Sequence, residues 1–95
     1  MDSRGSERVA IVVGASGAIG SATVRALIQH RINVVLAALP NPVLDALERE
    51  AKSRGVRALV VPTDITRRDE IDVLVAKTLV KFGRIDILIN SADAG

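Results

Sequence analysis

Cysteine, tryptophan and tyrosine are absent from these 95 residues, and histidine and phenylalanine occur once each, as His30 and Phe82. Without cysteine there is no disulfide framework and no thiolate metal site, and one histidine does not make a zinc site. A single aromatic ring gives no platform for stacking successive bases, so that mode of nucleic-acid binding is excluded. Long apolar runs are missing as well, and none could span a bilayer. The polar start, residues 1–8, leads into a short apolar run that a glycine-rich segment interrupts, so it lacks the apolar core of a signal peptide. Neither sign of charge dominates: the formal net charge is +2, with basic residues from Arg4 to Arg84 scattered among acidic ones. Such mixing is the mark of a solvated surface. The expectation is a cytoplasmic chain with neither nucleic acid nor membrane as partner.

What is present is aliphatic. Hydrophobic residues make up 48% and charged residues 25% of the chain, the profile of one small domain whose core is Val, Ile, Leu and Ala. A domain of this size buries only roughly 60–65% of its extended-chain surface, so its stability margin is thin. Residues 1–7 read as a flexible tail and residues 8–95 as the folded part. Val9 to Val13 is apolar without alternation, as in a strand buried on both faces. From Gly17 to about His30 the period is helical, with Ile19, Ala22, Ala26 and Leu27 on the side expected to face the core. Val34 to Ala38 is a second buried strand.

Asn41 followed by Pro42 signals a helix start, and that helix runs to about Arg54 with Leu44, Leu47 and Ala51 on one face. Gly55 is placed to close it in the left-handed conformation. Ala58 to Val61 is a third strand, and Pro62 discourages its continuation. Thr66 and Asp69 resemble a capping box for a third helix, in which Ile71, Leu74, Val75, Thr78 and Leu79 form the apolar row and Gly83 ends the run. Ile85 to Ile89 is a fourth strand ending at Asn90. The alternation β-α-β-α-β-α-β calls for a doubly wound α/β fold: a parallel sheet of Rossmann type, covered on both faces, with strand order 3-2-1-4. The ligand crevice of such a sheet lies beyond the C-terminal ends of strands one and four.

The segment Gly14-Ala15-Ser16-Gly17-Ala18-Ile19-Gly20 joins the first strand to the first helix. Glycines there let a phosphate approach unpaired N–H groups at the positive end of the helix dipole. A tight turn and close helix packing would explain the same glycines, although three exceed what a turn requires. With these glycines placed, the chain resembles the short-chain dehydrogenase/reductase family. The match extends to Asp64-Ile65 after the third strand, where the family binds adenine, and to Asn90-Ser91-Ala92, similar to the family's Asn-Asn-Ala-Gly element. Phe82 to Ile89 resembles the approach to that element.

The resemblance implies a dinucleotide cofactor, NADP or NAD, contacted by Gly14, Ser16, Gly17, Ile19, Gly20, Ala38, Leu39, Asp64, Ile65, Asn90, Ser91 and Ala92. Ala38 and Leu39 stand where the family carries an acid for NAD or an arginine for NADP. Their neutrality removes a repulsion against the extra phosphate of NADP and tilts the expectation that way. Four departures accompany the match. Position 18, usually glycine, is Ala18, and the middle glycine is Gly17, a spacing shared with the extended, epimerase-containing branch. Val13 replaces a threonine whose hydroxyl could tie the loop to the end of the fourth strand. Asp93 stands where the last element would have glycine, unless Ala94-Gly95 completes it after a two-residue insertion.

The family's chemistry uses a Tyr-x-x-x-Lys pair and an upstream serine. This chain has no tyrosine, and losing a positioned proton donor typically costs about 10²–10⁴ in rate. The expectation is a cofactor-binding part of an oxidoreductase acting on an alcohol or carbonyl substrate, without catalytic residues, incomplete as a fold and open to oligomerisation at its exposed sheet edge. The alternatives are a catalytically silent nucleotide-binding module and a fragment of a sugar-nucleotide epimerase or dehydratase.

Overall fold

A computed structural model describes residues 7–91. Of the flexible-tail expectation for residues 1–7, all but Glu7 lies outside the described residues, as do Ala92, Asp93, Ala94 and Gly95. Seven elements alternate: β1 (Val9–Val13), α1 (Ala18–Gln29), β2 (Asn33–Ala38), α2 (Pro42–Ser53), β3 (Ala58–Pro62), α3 (Arg68–Phe82) and β4 (Ile87–Asn90). The strands form one parallel sheet in the order β3-β2-β1-β4, as the alternating pattern predicts. Val9, Ile11 and Val13 lie in one core layer with Leu74 of α3. Val12, Val34 and Leu36 lie in the other with Val24 and Ile28 of α1 and Leu44 and Leu47 of α2. One helix on one face and two on the other make the sheet doubly wound. Full burial of a side chain such as Leu36 or Leu47 stabilises the fold by about 1.5–3 kcal/mol.

The central strands β1 and β2 are buried along their whole length, which is why their sequences show no alternation. At the edge, β4 alternates half-buried and exposed residues, and Leu88 is 65% exposed. β4 also begins at Ile87 rather than at Ile85. Asp86 explains the delay. Its backbone N–H donates to the Val9 carbonyl at 2.9 Å, while its carboxylate accepts from the Val9 N–H at 2.8 Å. A side chain thus replaces the first rung between β1 and β4.

Two helix faces differ from the sequence expectation. In α1 the buried row is Gly20, Val24 and Ile28, whereas Ile19, Ala22 and Ala26 are exposed and Leu27 is half-buried. Gly20 meets the Gly14 carbonyl so closely that the row through it must face inward, which turns Ile19, one residue away, outward. In α3, Leu74 and Thr78 are buried, but Val75 and Leu79 are exposed. That flank has no further layer to meet among the described residues. The capping box at Thr66 and Asp69 does not form either. Arg67 is the N-cap, without a side-chain cap, because Thr66 bonds back to Asp64 instead.

The helix ends explain the connections. Asn41 Oδ1 accepts from the Val43 N–H at 2.8 Å and Pro42 opens α2, as the Asn-Pro pair predicts. Gly55, at φ 74°, closes α2 with bonds from its N–H to the Lys52 carbonyl and from the Val56 N–H to the Ala51 carbonyl, the Schellman pattern. The end of α1 repeats it: the N–H groups of Arg31 and Ile32 donate to Ile28 and Leu27, with Arg31 at φ 60° where glycine is usual. The Arg31 guanidinium donates to the Arg54 carbonyl at 3.3 Å, placing a cation at the negative end of α2.

The Asp86 junction carries a pH prediction. Bonds from the Arg84 guanidinium and then from the Val9 N–H hold the Asp86 carboxyl below its ordinary value. A carboxyl lowered in the folded state contributes stability above its unfolded value of about 3.9, and the contribution is lost as pH falls through the folded value. Asp86→Asn is therefore expected to lower Tm by a constant amount between pH 5 and 8, with the gap closing below about pH 4. Melting both proteins across that range checks it.

Candidate functional site

All four strands end on one side of the sheet, and their ends open into a cleft of about 1110 Å³. The turn after β1 forms one wall. Gly14, at φ 83°, reverses the chain where a side chain would be strained, and its N–H donates to the Ala37 carbonyl at 2.8 Å. The Gly17 N–H then donates to the Gly14 carbonyl at 3.1 Å. Gly17 is the N-cap of α1, with no side-chain cap and no acid in the first turn. The N–H groups of Ser16, Ala18, Ile19 and Gly20 meet no acceptor among the described residues. A bare helix start of this kind presents converging donors to an anion.

Gly20 lies beneath this wall rather than on it. It is buried, and a Cβ added there would stand 1.9 Å from the Gly14 carbonyl oxygen and 2.8 Å from Ser91 Oγ. Ser91 closes the floor. Its N–H donates to the Val13 carbonyl at 2.9 Å, and its hydroxyl donates to the same oxygen at 2.8 Å with the Gly14 oxygen at 3.4 Å. Asn90 precedes it at the end of β4, paired in register with Val13.

At the opposite wall Asp64 makes a tight local turn. Its Oδ1 accepts from the Thr66 N–H at 2.9 Å and from the Thr66 hydroxyl at 2.6 Å. These two bonds, hydroxyl first, hold the Asp64 carboxyl below its ordinary value, with a smaller contribution from the Arg67 charge. Glu70 Oε1 accepts from the Asp64 N–H at 2.7 Å, so the helix α3 pins the loop from behind. The Ile65 N–H has no acceptor among the described residues. Ala38 and Leu39 form the rim between the walls, with Leu39 62% exposed. Asp64 is the only charged residue among the described residues lining the cleft.

The structure thus brings Gly14, Ser16, Gly17, Ile19, Ala38, Leu39, Asp64, Ile65, Asn90 and Ser91 to one cleft and sets Gly20 under it; Ala92 lies outside the described residues. Thr23, Thr63 and Thr66 also line it and were not among the sequence candidates. Thr63 has a signal in hindsight, being the residue between strand-ending Pro62 and Asp64; its buried hydroxyl donates to the Val61 carbonyl. Among the described residues no group of three or more His, Cys, Asp or Glu could hold a metal ion, and no helix is long and apolar enough to cross a membrane.

Comparison with known proteins finds relatives over most of the chain. The family model described as short chain dehydrogenase matches residues 8–94. A 3-oxoacyl-[acyl-carrier-protein] reductase of Synechocystis is 41% identical over 86 residues, which are 90% of this chain and 35% of that protein. An uncharacterized oxidoreductase of Staphylococcus haemolyticus is 42% identical over 85 residues, 90% of this chain and 36% of the relative. Among solved structures, the L-sorbose reductase of Gluconobacter frateurii complexed with NADPH and L-sorbose superposes with a TM-score of 0.85 at 32% identity, covering 93% of this chain and 34% of that one. An NAD+-bound xylitol dehydrogenase gives 0.82 at 28% identity, covering 90% and 33%. The chain spans about a third of the length of these proteins.

Proposed function

Since the chain belongs to the short-chain dehydrogenase family, we infer that its cleft is the dinucleotide site of an oxidoreductase acting on an alcohol or carbonyl compound. The observation that carries this reading is the uncapped start of α1 behind the Gly14 turn, with the N–H groups of Ser16, Ala18, Ile19 and Gly20 unpaired among the described residues. The donor set fits a pyrophosphate, whose charge the helix start would meet. The Ile65 N–H and the outer Asp64 oxygen fit the edge of an adenine, which offers one acceptor and one amino group to such a pair. Asn90 and Ser91 would flank the adjoining ribose. When bound, a nicotinamide cofactor supplies hydride transfer; the residues of this chain bind and orient it.

The tilt toward NADP rests on the rim. Neither Ala38 nor Leu39 carries charge, and no carboxylate but the locally bonded Asp64 lines the cleft among the described residues. A 2′-phosphate there meets no like charge at close range. The proton-transfer groups of the family's reaction are not in this chain, which has no tyrosine. Binding without turnover is the expected behaviour of these residues alone, and association through the β4 edge, where Leu88 is exposed, belongs to the same reading.

Calorimetric titration with NADP and NAD, followed by an assay with NADPH and simple ketones, tests it. Saturable NADP binding without oxidation of NADPH is the expected result; no binding of either dinucleotide overturns the assignment. Sedimentation velocity at increasing concentration gives association or a single monomer, and the latter removes the edge contact from the reading.

A further inference from the structure

We propose that the Ser91 hydroxyl is the positioning group that holds the glycine turn in its anion-receiving shape, a role that rests on the dinucleotide reading above. Ser91 is the first residue past β4, 71 positions after Gly20. Yet the two meet. Ser91 Oγ donates to the Val13 carbonyl at 2.8 Å, has the Gly14 oxygen at 3.4 Å, and lies so close to Gly20 that a Cβ there would be 2.8 Å away. A hydroxyl has one hydrogen, so the Val13 bond is the strong contact and the Gly14 oxygen a weaker second acceptor.

The position of that contact matters. The peptide plane between Gly14 and Ala15 is the first without a sheet neighbour on the β4 side, and it follows a residue at φ 83° with little steric preference. Two donors hold the Gly14 carbonyl: the Gly17 N–H at 3.1 Å and Ser91 Oγ. The first is internal to the turn and moves with it. The second ties the turn to β4, while the Gly14 and Ala15 N–H groups, at 2.8 and 3.4 Å from the Ala37 carbonyl, tie it to β2. Because the Gly14 oxygen also sets how near Gly20 can approach, the hydroxyl, through its Val13 bond and its Gly14 contact, holds the β4 side of the turn from which the unpaired N–H groups of α1 project. Val13 offers no hydroxyl of its own at this junction, so in this chain the tie comes from the β4 side.

The test uses the full chain with Ser91→Ala and Ser91→Thr, the latter keeping the hydroxyl. Amide exchange by NMR in the unliganded protein is read at Gly17, whose donor bond ends on the Gly14 carbonyl, and at Leu36 in the sheet. For Ser91→Ala, exchange at Gly17 is expected to rise about tenfold with Leu36 unchanged, the size of one lost net hydrogen bond, and NADP binding to weaken by a similar factor. Ser91→Thr retains both. Unchanged exchange at Gly17 in Ser91→Ala overturns the proposal whether or not the parent chain binds NADP, and so does unchanged NADP affinity where the parent binds. Faster exchange at Gly17 in a parent that binds neither dinucleotide leaves the tie standing and removes the cofactor reading instead. If Ser91→Ala does not fold while Ser91→Thr does, the hydroxyl supports the whole sheet and the specific role is overturned.

Discussion

Gly20→Ala is expected to be severely damaging, lowering Tm by about 12 °C or more or abolishing a cooperative melt. The added Cβ would lie 1.9 Å from the Gly14 carbonyl oxygen and 2.8 Å from that residue's carbonyl carbon. Both are backbone atoms, so relief requires moving the turn, the helix or both. Overpacking costs typically about 1–3 kcal/mol and occasionally more, and a Cβ forced this close to backbone stands at the upper end; in a domain of this size each kcal/mol shifts Tm by roughly 4–8 °C. Gly17→Ala is the matched control. Its Cβ would meet the Gly14 oxygen at an ordinary 3.6 Å, and its φ of −76° suits any residue. Tm should stay within a few degrees while NADP binding weakens, because the methyl stands among the exposed donors. Equal melting of the two variants would show that the close approach of Gly20 is not what holds the turn.

The second large effect concerns cofactor choice. Ala38→Asp places a carboxylate at the last position of β2, on the cleft lining. Toward the NADP phosphate this is a like-charge contact; toward the ribose hydroxyls of NAD it is an acceptor for charge-assisted bonds of about 1.5–3 kcal/mol. The ratio of NADP to NAD affinity is expected to fall by about 10²–10³-fold, since the two effects act in opposite directions on the two ligands. Parallel titrations measure it, with melting of the variant to verify that the rim still folds. A ratio unchanged from the parent would mean that the ribose does not sit against Ala38.

Element order and the ends of α2 were legible because each depends on local residues: buried runs for β1 and β2, Asn41-Pro42 at one end and Gly55 at the other; strand order followed from the alternation of strands and helices, which the doubly wound topology arranges as 3-2-1-4. The inward faces of α1 and α3 were not. Periodicity names an apolar stripe but not what lies opposite it, and in both helices the apolar residues exceed what the sheet covers. For α1 the deciding contact is between Gly20 and the Gly14 carbonyl, and glycine carries no weight in a hydrophobic pattern. At the site, Gly14, Asp64 and Asn90 were visible as residues, whereas the bond from Ser91 to β1 and the Glu70 clamp behind Asp64 are long-range or side-chain events without a sequence signature. Thr66 was read as a helix cap because its spacing allowed it, and Asp64, two residues back, took its hydroxyl first.

The pairing of β1 with β4 has a kinetic side. β1 is the first strand of the chain, yet one of its two edges is completed by Ile87–Asn90, with Asp86 reaching Val9 across a separation of 77 residues and Ser91 reaching Val13 across 78. Such distant closures are slow and come late, after the β1-β2-β3 side has gained its nearer contacts. The glycine turn sits on that seam. A ligand held there would bind the sheet with β4 docked and not its precursor, so the cofactor would act as a latch on the β1–β4 pairing and slow the departure of β4.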